Sequence, residues 1–535
     1  MDMGTGKSRV VTRVWWRRVA DGVVDDLLIV APKGCYMNWS RKDEEEPGEF
    51  EKWFTPEEYD RLYIRSWVSG AGVRATRELE KFLVYRGPLA RVLLMNVEAL
   101  SSPGKAREFL IAYLKSRRVM WVVDESACIM HHDSARTAFI HQQRTLATHR
   151  MICTGLIGPE EPLNVFSQFW FLDPRVIGHR DYYSFRRHYA ILQKVDYRPV
   201  DQREAQEKRP KWEGVLYYHR QSDKAWAVSK TKNDEPTWLP KRFSQRGTPR
   251  PGGCYMFRVS RWLAEEAGLC EATGRQGVEV VVSYRNVEEL REKIAPASYR
   301  VEMTNVIDIP EPVYMPIRWV EMTPEQERMY REMGKYASTV LEDSHISVNT
   351  KLDQLIKLQS LLCGHVTTEE GQVIDVPSRR VDAVMEVLQD YSGKALIWAP
   401  YPRLLGKIAA ALREAYGEAS VLEFWGDTSA ADREENKRRI QRDEKARWMV
   451  ANQAVGGEGN TWTEARLSVY AANGPKNRDR QQSERRNWRA GQKQTVTYVD
   501  LAVRGTIDEK WVATIRRKMD LAAALTGDSF KRWLV

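Results

Sequence analysis

Lys7 has the most specific chemistry at the start of this chain. It lies in Met3-Gly4-Thr5-Gly6-Lys7-Ser8. In a Gly-x-Gly-Lys-Ser run the glycines let backbone N–H groups approach phosphate oxygens, the lysine neutralises the β and γ phosphates, and the serine hydroxyl ligates Mg2+. The full pattern asks for a further glycine where Met1 stands. Downstream, "VMWVVDES" is a short apolar run that ends in Asp124 and Glu125. Asp124 is expected to hold the water shell of Mg2+, and Glu125 to orient and deprotonate an attacking water. An acidic helix cap is the plainer use of "DES", and the phosphate loop upstream favours the catalytic one. Near the far end, "QSERRNWRAGQ" carries Arg486 and Arg489 three positions apart. On a helix both guanidinium groups project from one face. Across a closed cleft they reach a γ-phosphate; a solvated basic helix is the alternative.

These groups need rigid elements to position them. In the first third, "DLLIVAP", "RVLLMNVEAL", "VMWVVDES" and "HRMICTG" are apolar runs ending in polar residues, each followed by a helical pattern. The last third repeats the arrangement in "KALIWAP", "SVLEFWG", "ARWMVANQ", "RLSVYAAN" and "TVTYVDL". Buried parallel strands covered by helices read this way, so the expected fold class is α/β with two parallel-sheet lobes. Between them, from about Asp201 to Ser283, lies a stretch rich in Arg, Lys, Trp, Tyr, Pro and Gly, with turn punctuation at "RGTPRPGG" and short pieces such as "GVLYYHR" and "KAWAVSK". It is expected to be an inserted, partly β module. "NVEELREKI" and "TPEQERMYREMGKYASTVLE" have helical periodicity, with caps expected at Asn286 and Thr323. The expected domains are 1–200, a first lobe lacking its first strand; 201–285, the insert; 286–350, a helical linker and the end of the first lobe; and 351–535, the second lobe.

Composition narrows the class. A chain of 535 residues, 42% hydrophobic and 29% charged, exceeds what one core uses. Six scattered cysteines offer neither a disulfide framework nor zinc spacing. No run of ~18 apolar residues occurs, and the N-terminus lacks the apolar core of a signal peptide, so a cytoplasmic location, in a bacterium or a phage-infected host, is expected. The formal charge of +10 favours an anionic partner such as nucleic acid, although so modest an excess also suits plain solubility.

The motifs resemble those of SWI/SNF-like ATPases of helicase superfamily 2, in particular their compact phage and bacterial members. "DMGTGKS" is similar to motif I, "IVAPKGCYMNW" to Ia, "LLMNVEAL" to Ib, "VVDES" to II and "CTGLIGPEEPLNVFSQFWFLDP" to III. In the second lobe, "KALIWAPYPRLL" resembles motif IV, "QAVGGEGNTWTEA" motif V and "QSERRNWRAGQ" motif VI. The resemblance covers roughly four-fifths of the chain, with the insert outside it. It implies two RecA-like lobes that bind ATP and Mg2+ in a cleft and translocate on double-stranded DNA. By this resemblance Gly4, Thr5, Gly6, Lys7, Ser8, Gln482, Gly457 and Gly459 bind ATP, Ser8 and Asp124 the metal, and Lys7, Glu125, Arg486 and Arg489 act in catalysis. Lys33, Asn96, Thr154 and Thr428 would hold the nucleic-acid backbone, though Asn96 and Thr428 equally suit helix caps. Four places depart from the family: Ala127 stands for a His in motif II, Leu156 and Ile157 for Thr-Pro in motif III, Asn460-Thr461-Trp462 for Leu-Asn-Leu in motif V, and Trp488 for a His in motif VI.

A phosphate loop ordinarily follows a strand, and this family keeps an adenine-reading segment upstream. The chain is therefore expected to be truncated just before motif I, and either the natural start lies upstream by roughly a strand and a helical segment, or the truncation is genuine and the ATP site is crippled. The leading expectation is a DNA-stimulated ATPase and translocase, with a monomer favoured. The alternatives are a non-catalytic DNA-binding or scaffold protein and a strand-separating helicase on single-stranded DNA or RNA. In the insert, twelve Lys and Arg face seven Asp and Glu between Asp201 and Arg250, interleaved with aromatics. Such a mixture suits nucleic-acid contact or the core of a small β-module.

Overall fold

The computed structural model describes residues 5–40, 47–196, 212–222, 225–241, 244–259, 264, 269, 277–301, 308–342, 348–367, 372–456 and 461–526. The chain divides into two compact units, one of Met1–Ile191, Val282–Glu327 and Gln359–Val535, the other of Leu192–Val281 and Arg328–Leu358.

The first unit contains both expected α/β lobes. In the first lobe β1 (Asp26–Ala31), β2 (Leu62–Ser66), β3 (Ala90–Asn96), β4 (Val119–Asp124) and β5 (His149–Cys153) form a sheet in the order β2-β3-β1-β4-β5. Every neighbouring pair is parallel. Alternate residues of the central strands enter two separate cores: Leu28, Val30, Leu93, Met95, Trp121 and Val123 on one face, Leu27, Ile29, Val92, Leu94, Met120 and Val122 on the other. That double burial is why these strands read as unbroken apolar runs. The edge strand β2 is only half-buried along its length and includes Arg65, so its sequence carried no such signal. Deep in the lobe, Arg91 donates to Asp26 from Nη2 at 2.6 Å and from Nε at 3.0 Å, with both side chains fully buried, tying β3 to β1.

The second lobe orders its strands Val313–Tyr314, Thr497–Ala502, Ala465–Tyr470, Lys394–Trp398, Trp448–Ala451, Val421–Phe424, all parallel. The five apolar runs of the last third are thus five strands of one sheet. The architecture is two RecA-like α/β lobes.

The second unit holds a five-stranded antiparallel sheet of Ser244–Arg250, Cys254–Val259, Trp212–Gln221, Ala225–Ser229 and Thr237–Pro240, in that order. The "RGTPRPGG" stretch, expected as a turn, is strand as far as Arg250, and the turn falls on the positive-φ glycines Gly252 and Gly253. Pro249 fits because the strand lies at the sheet edge and its register shifts between Arg246 and Pro249. Of the expected caps, Thr323 accepts from the Gln326 N–H at 3.2 Å, whereas the Asn286 side chain donates to the His188 carbonyl at 3.1 Å and caps nothing.

Candidate active site

The glycine-lysine-serine run turns into its helix at Gly6. Its φ of +89° is one that L side chains rarely adopt, and the helix Lys7–Ala20 starts at the next residue. No acid occupies the first turn, and Arg17 and Arg18 sit in the last. The positive end of the helix dipole and its unpaired first-turn N–H groups therefore face no negative charge of their own helix, which suits an anion. Buried Val11 and Trp15 anchor the helix, and Trp15 meets Phe50 and Phe54 edge-on, each at 6.3 Å. Thr5 and Ser8 are half-buried. Gly4 lies outside the described residues.

Lys7 and the motif II carboxylates come together. Lys7 Nζ donates to Glu125 Oε1 at 3.2 Å, with side-chain exposures of 12% and 16%. Asp124 ends β4 and accepts the indole N–H of Trp39 at 3.1 Å through Oδ2 and the Glu125 N–H at 3.0 Å through Oδ1. Glu125 has φ 49° and ψ 56°, one of two non-glycine residues with positive φ among the described residues. Such strain persists only where surrounding structure enforces it, and it concentrates at functional positions. Burial, followed by the neighbouring Glu125 charge, pushes the Asp124 carboxyl up to about 6, with Lys7 opposing. Burial likewise resists charge on Glu125, but Lys7, Arg478 and Arg486 outweigh it and hold this carboxyl below its ordinary value. For Lys7, burial works against the charge, yet Glu125 and Asp124 together leave its ammonium above its usual value.

One carboxylate and one hydroxyl suit Mg2+ held jointly by protein, phosphates and water. Among the described residues no group of three or more His, Cys, Asp and Glu suits a protein-only metal cage.

Motif VI differs from its expected form. The helix Asn477–Glu484 stops before Arg486 and Arg489, so these two arginines lie in the following turns and do not share a helix face. Local bonds explain the stop. Arg486 Nε folds back onto the Gln482 carbonyl at 2.8 Å, and the Arg486 carbonyl is taken by the Trp462 N–H at 2.8 Å. Arg486 still presents its charge to Glu125, whereas the opposite charge that Arg489 faces is Glu49. Beneath this segment, Arg480 pairs with Asp500 and with Glu484 (2.7 Å), its guanidinium 3.4 Å from the Tyr470 ring centre, fixing the helix to the second-lobe sheet. Facing it, the Pro159 carbonyl accepts from Asn477 Nδ2 at 2.7 Å, and Glu160 accepts from the Arg478 N–H at 3.0 Å.

The other expected residues are dispersed. Lys33 is exposed, and its backbone N–H donates to Glu98 at 3.1 Å. Asn96 is buried and accepts from the Ala99 N–H at 2.8 Å as the cap of the short helix Val97–Leu100. Thr154 Oγ1 bonds within its own turn to Leu156, at 2.9 Å to the carbonyl and 3.0 Å from the N–H. Thr428 Oγ1 accepts from the Trp425 N–H at 3.3 Å. Gln482 is buried beneath Arg486, and Gly457 and Gly459 lie outside the described residues. Where motif II has Ala127, the adjacent Ser126 Oγ donates to Gln168 Oε1 at 2.6 Å, and Gln168 Nε2 donates to the carbonyls of Ile157 and Asn164 at 2.5 and 3.0 Å. This links motif II to the loop that carries Glu160. Sequence reasoning missed Trp39, Arg478, Glu160 and Gln168. Only Arg478 left a trace, as one more cation in "RDRQQSERRNWR".

Fold and site define a two-lobed RecA-like α/β protein in which a glycine-lysine-serine turn at a helix N-terminus faces paired carboxylates. No family model and no curated protein matches the chain. Among the solved structures similar to it are two SWI2/SNF2 ATPase cores and part of a further ATPase domain. That of Sulfolobus solfataricus in complex with dsDNA is 16% identical, over 100% of this chain and 89% of that chain, with a TM-score of 0.33. The Sulfolobus solfataricus core domain is 16% identical over 100% and 85%, TM-score 0.32. The C-terminal part of the Fun30 ATPase domain is 15% identical over 41% and 97%, TM-score 0.32. No helix among the described residues is long and apolar enough to cross a membrane.

Proposed function

We propose that this chain is a DNA-dependent ATPase of the SWI/SNF type that uses ATP hydrolysis to move along double-stranded DNA. The observation that carries the proposal is the meeting of Lys7 with Glu125 beside Asp124, under the positive charges of Arg478 and Arg486 from the other lobe.

The Lys7–Glu125 pair suits a site whose base is held in reserve. Phosphates arriving at the helix N-terminus compete with Glu125 for the Lys7 ammonium. As Lys7 turns to them, Glu125 loses the strongest charge holding its carboxyl low and becomes the better base. It then takes a proton from the attacking water as the water oxygen bonds to the γ-phosphorus and the bond to the ADP oxygen breaks. Arg486 and Arg478, whose charges act on Glu125, would meet the negative charge that spreads over the γ-phosphate, and fingers of this kind contribute on the order of a thousandfold or more. Ser8 and Asp124 would hold Mg2+, which when bound would supply neutralisation of the phosphate charge.

Of the four residues expected to grip DNA, the exposed Lys33 is the one whose charge stands ready for a backbone phosphate, because Asn96, Thr154 and Thr428 are engaged as a cap or within their own turns. The test is ATP turnover with duplex DNA, single-stranded DNA or no DNA, beside Lys7→Ala. Turnover stimulated by duplex and lost in the variant is expected. Absence of turnover in all three conditions overturns the proposal.

A further inference from the structure

The antiparallel sheet of the second unit must curl. Its edge strands, Thr237–Pro240 and Ser244–Arg250, are separated in sequence by three residues. Four strand spacings of a flat sheet span about 19 Å, whereas four Cα steps reach at most about 15 Å. The Ser244 hydroxyl accordingly reaches the Leu239 carbonyl at 3.5 Å, edge to edge. The sheet therefore has an inner face, and cross-strand register identifies its residues. Leu216 opposes Tyr255, Tyr218 opposes Val228, Trp226 opposes Leu239, and Arg246 opposes Phe257.

That inner face changes character along its length. One end is a small core of Leu216, Val228, Leu239, Phe257 and Val259. At the other, Tyr218, Trp226 and Tyr255 surround Arg246, whose guanidinium carbon lies 4.8 Å from the centre of each ring. Lys241 Nζ stands 4.4 Å from the Trp226 ring centre. Arg246 is nevertheless exposed. Stacking uses the flat faces of a guanidinium and leaves its edge N–H donors free for an anion. The rings hold the cation in place, which lowers the entropy cost of presenting it.

We propose that this end of the curled sheet is a second DNA contact, with Arg246 and Lys241 bound to backbone phosphates. Two features select that partner. Between Trp212 and Val259, nine Lys and Arg stand against four Asp and Glu, and Glu213 among the latter is already paired with Arg258 at 2.7 Å. The rings, moreover, are covered by the protein's own cations, so they offer no free cage for a cationic ligand and no bare platform for a base. What remains is a charged, sequence-indifferent grip on phosphates. The choice of duplex DNA rests on the motor reading above, and the test separates the two.

The test uses the full chain, a fluorescein-labelled 30-base-pair duplex and binding curves across a NaCl series. Lys241→Gln/Arg246→Gln is expected to weaken binding on the order of tenfold at low salt and to flatten the log–log salt slope by about 2. Arg246→Lys, which keeps the charge, is expected to retain the slope. Lys230→Gln/Lys232→Gln, in the loop after Ala225–Ser229, is expected to change neither. An unchanged slope in the first variant overturns the proposal, as does an equal loss in the loop variant or in Arg246→Lys. Lys7→Ala measured alongside reports on the motor alone. Absence of ATP turnover together with a slope that still depends on Arg246 defeats the motor reading and leaves this one standing.

Discussion

Glu160 and Lys518 lie 358 positions apart and form an ion pair of 2.6 Å. Glu160 follows the last strand of the first lobe, and Lys518 sits on the helix Ile507–Thr526 that follows the last strand of the second. The same carboxylate accepts the Arg478 N–H, so one side chain joins the first lobe to two elements of the other. Glu160→Ala removes the acceptor of the Arg478 N–H and one of the two acceptors of Lys518, which keeps the Pro475 carbonyl at 3.1 Å, and is expected to destabilise the protein by about 1 kcal/mol. Scanning calorimetry should show a lower Tm, and Glu160→Gln, which keeps an acceptor for the Arg478 N–H, should fall between variant and parent.

Glu125 holds a left-handed backbone that glycine adopts freely. Glu125→Gly and Glu125→Ala both remove the carboxylate and its bond to Lys7, so their difference isolates the backbone strain. The glycine variant is expected to be the more stable by about 1 kcal/mol in urea unfolding, because alanine keeps the Cβ that this conformation disfavours. Both are expected to lose ATP turnover. Equal stabilities would show that the conformation at 125 stores no strain.

Trp39 donates its indole N–H to Asp124, so under the proposed function it positions that carboxylate. Trp39→Phe keeps most of the buried ring and deletes the indole N–H. By analogy with other outer partners of metal ligands, it is expected to raise the Mg2+ concentration needed for half-maximal turnover by roughly 10–100-fold. A merely structural role predicts lower stability with an unchanged Mg2+ requirement.

His141 supplies a pH signature of the first lobe. Its Nε2 lies 2.8 Å from the Ser167 carbonyl, and burial lowers its pKa to about 4. The unfolded chain binds a proton near pH 6.5 that the folded chain refuses until about 4. The group therefore leaves stability untouched above pH 6.5 and reduces it as pH falls through that window. His141→Gln is expected to flatten the decline in Tm between pH 7 and pH 5, and an unchanged decline would exclude His141 as its source.

Much of the fold was legible because its strands are buried on both faces. β1, β3 and β4 read as continuous apolar runs, whereas β2, at a half-buried edge, carried no comparable pattern. The Ser244–Arg250 strand hid behind Gly247 and Pro249, which signal turns unless an edge position and a register shift accommodate them. Motif VI was extended as a helix because residues 477–489 contain no breaker. The helix ends where Trp462, distant in sequence, takes the Arg486 carbonyl.

The sequence by itself determined the chemistry available: a glycine-lysine-serine loop for phosphate, Asp124 and Glu125 at a strand end, cations near the C-terminus and two parallel-sheet lobes. These rest on residue type and short spacing, which local physics reads directly. Only the tertiary structure decided that Lys7 meets Glu125, that Trp39 holds Asp124, that Arg478 and Arg486 rather than Arg489 face the carboxylates, and that Arg246 is ringed by three aromatics. Each of these pairs residues far apart along the chain. Their meeting is set by sheet order and packing, where one apolar side chain serves as well as another and leaves no mark of its partner in the sequence.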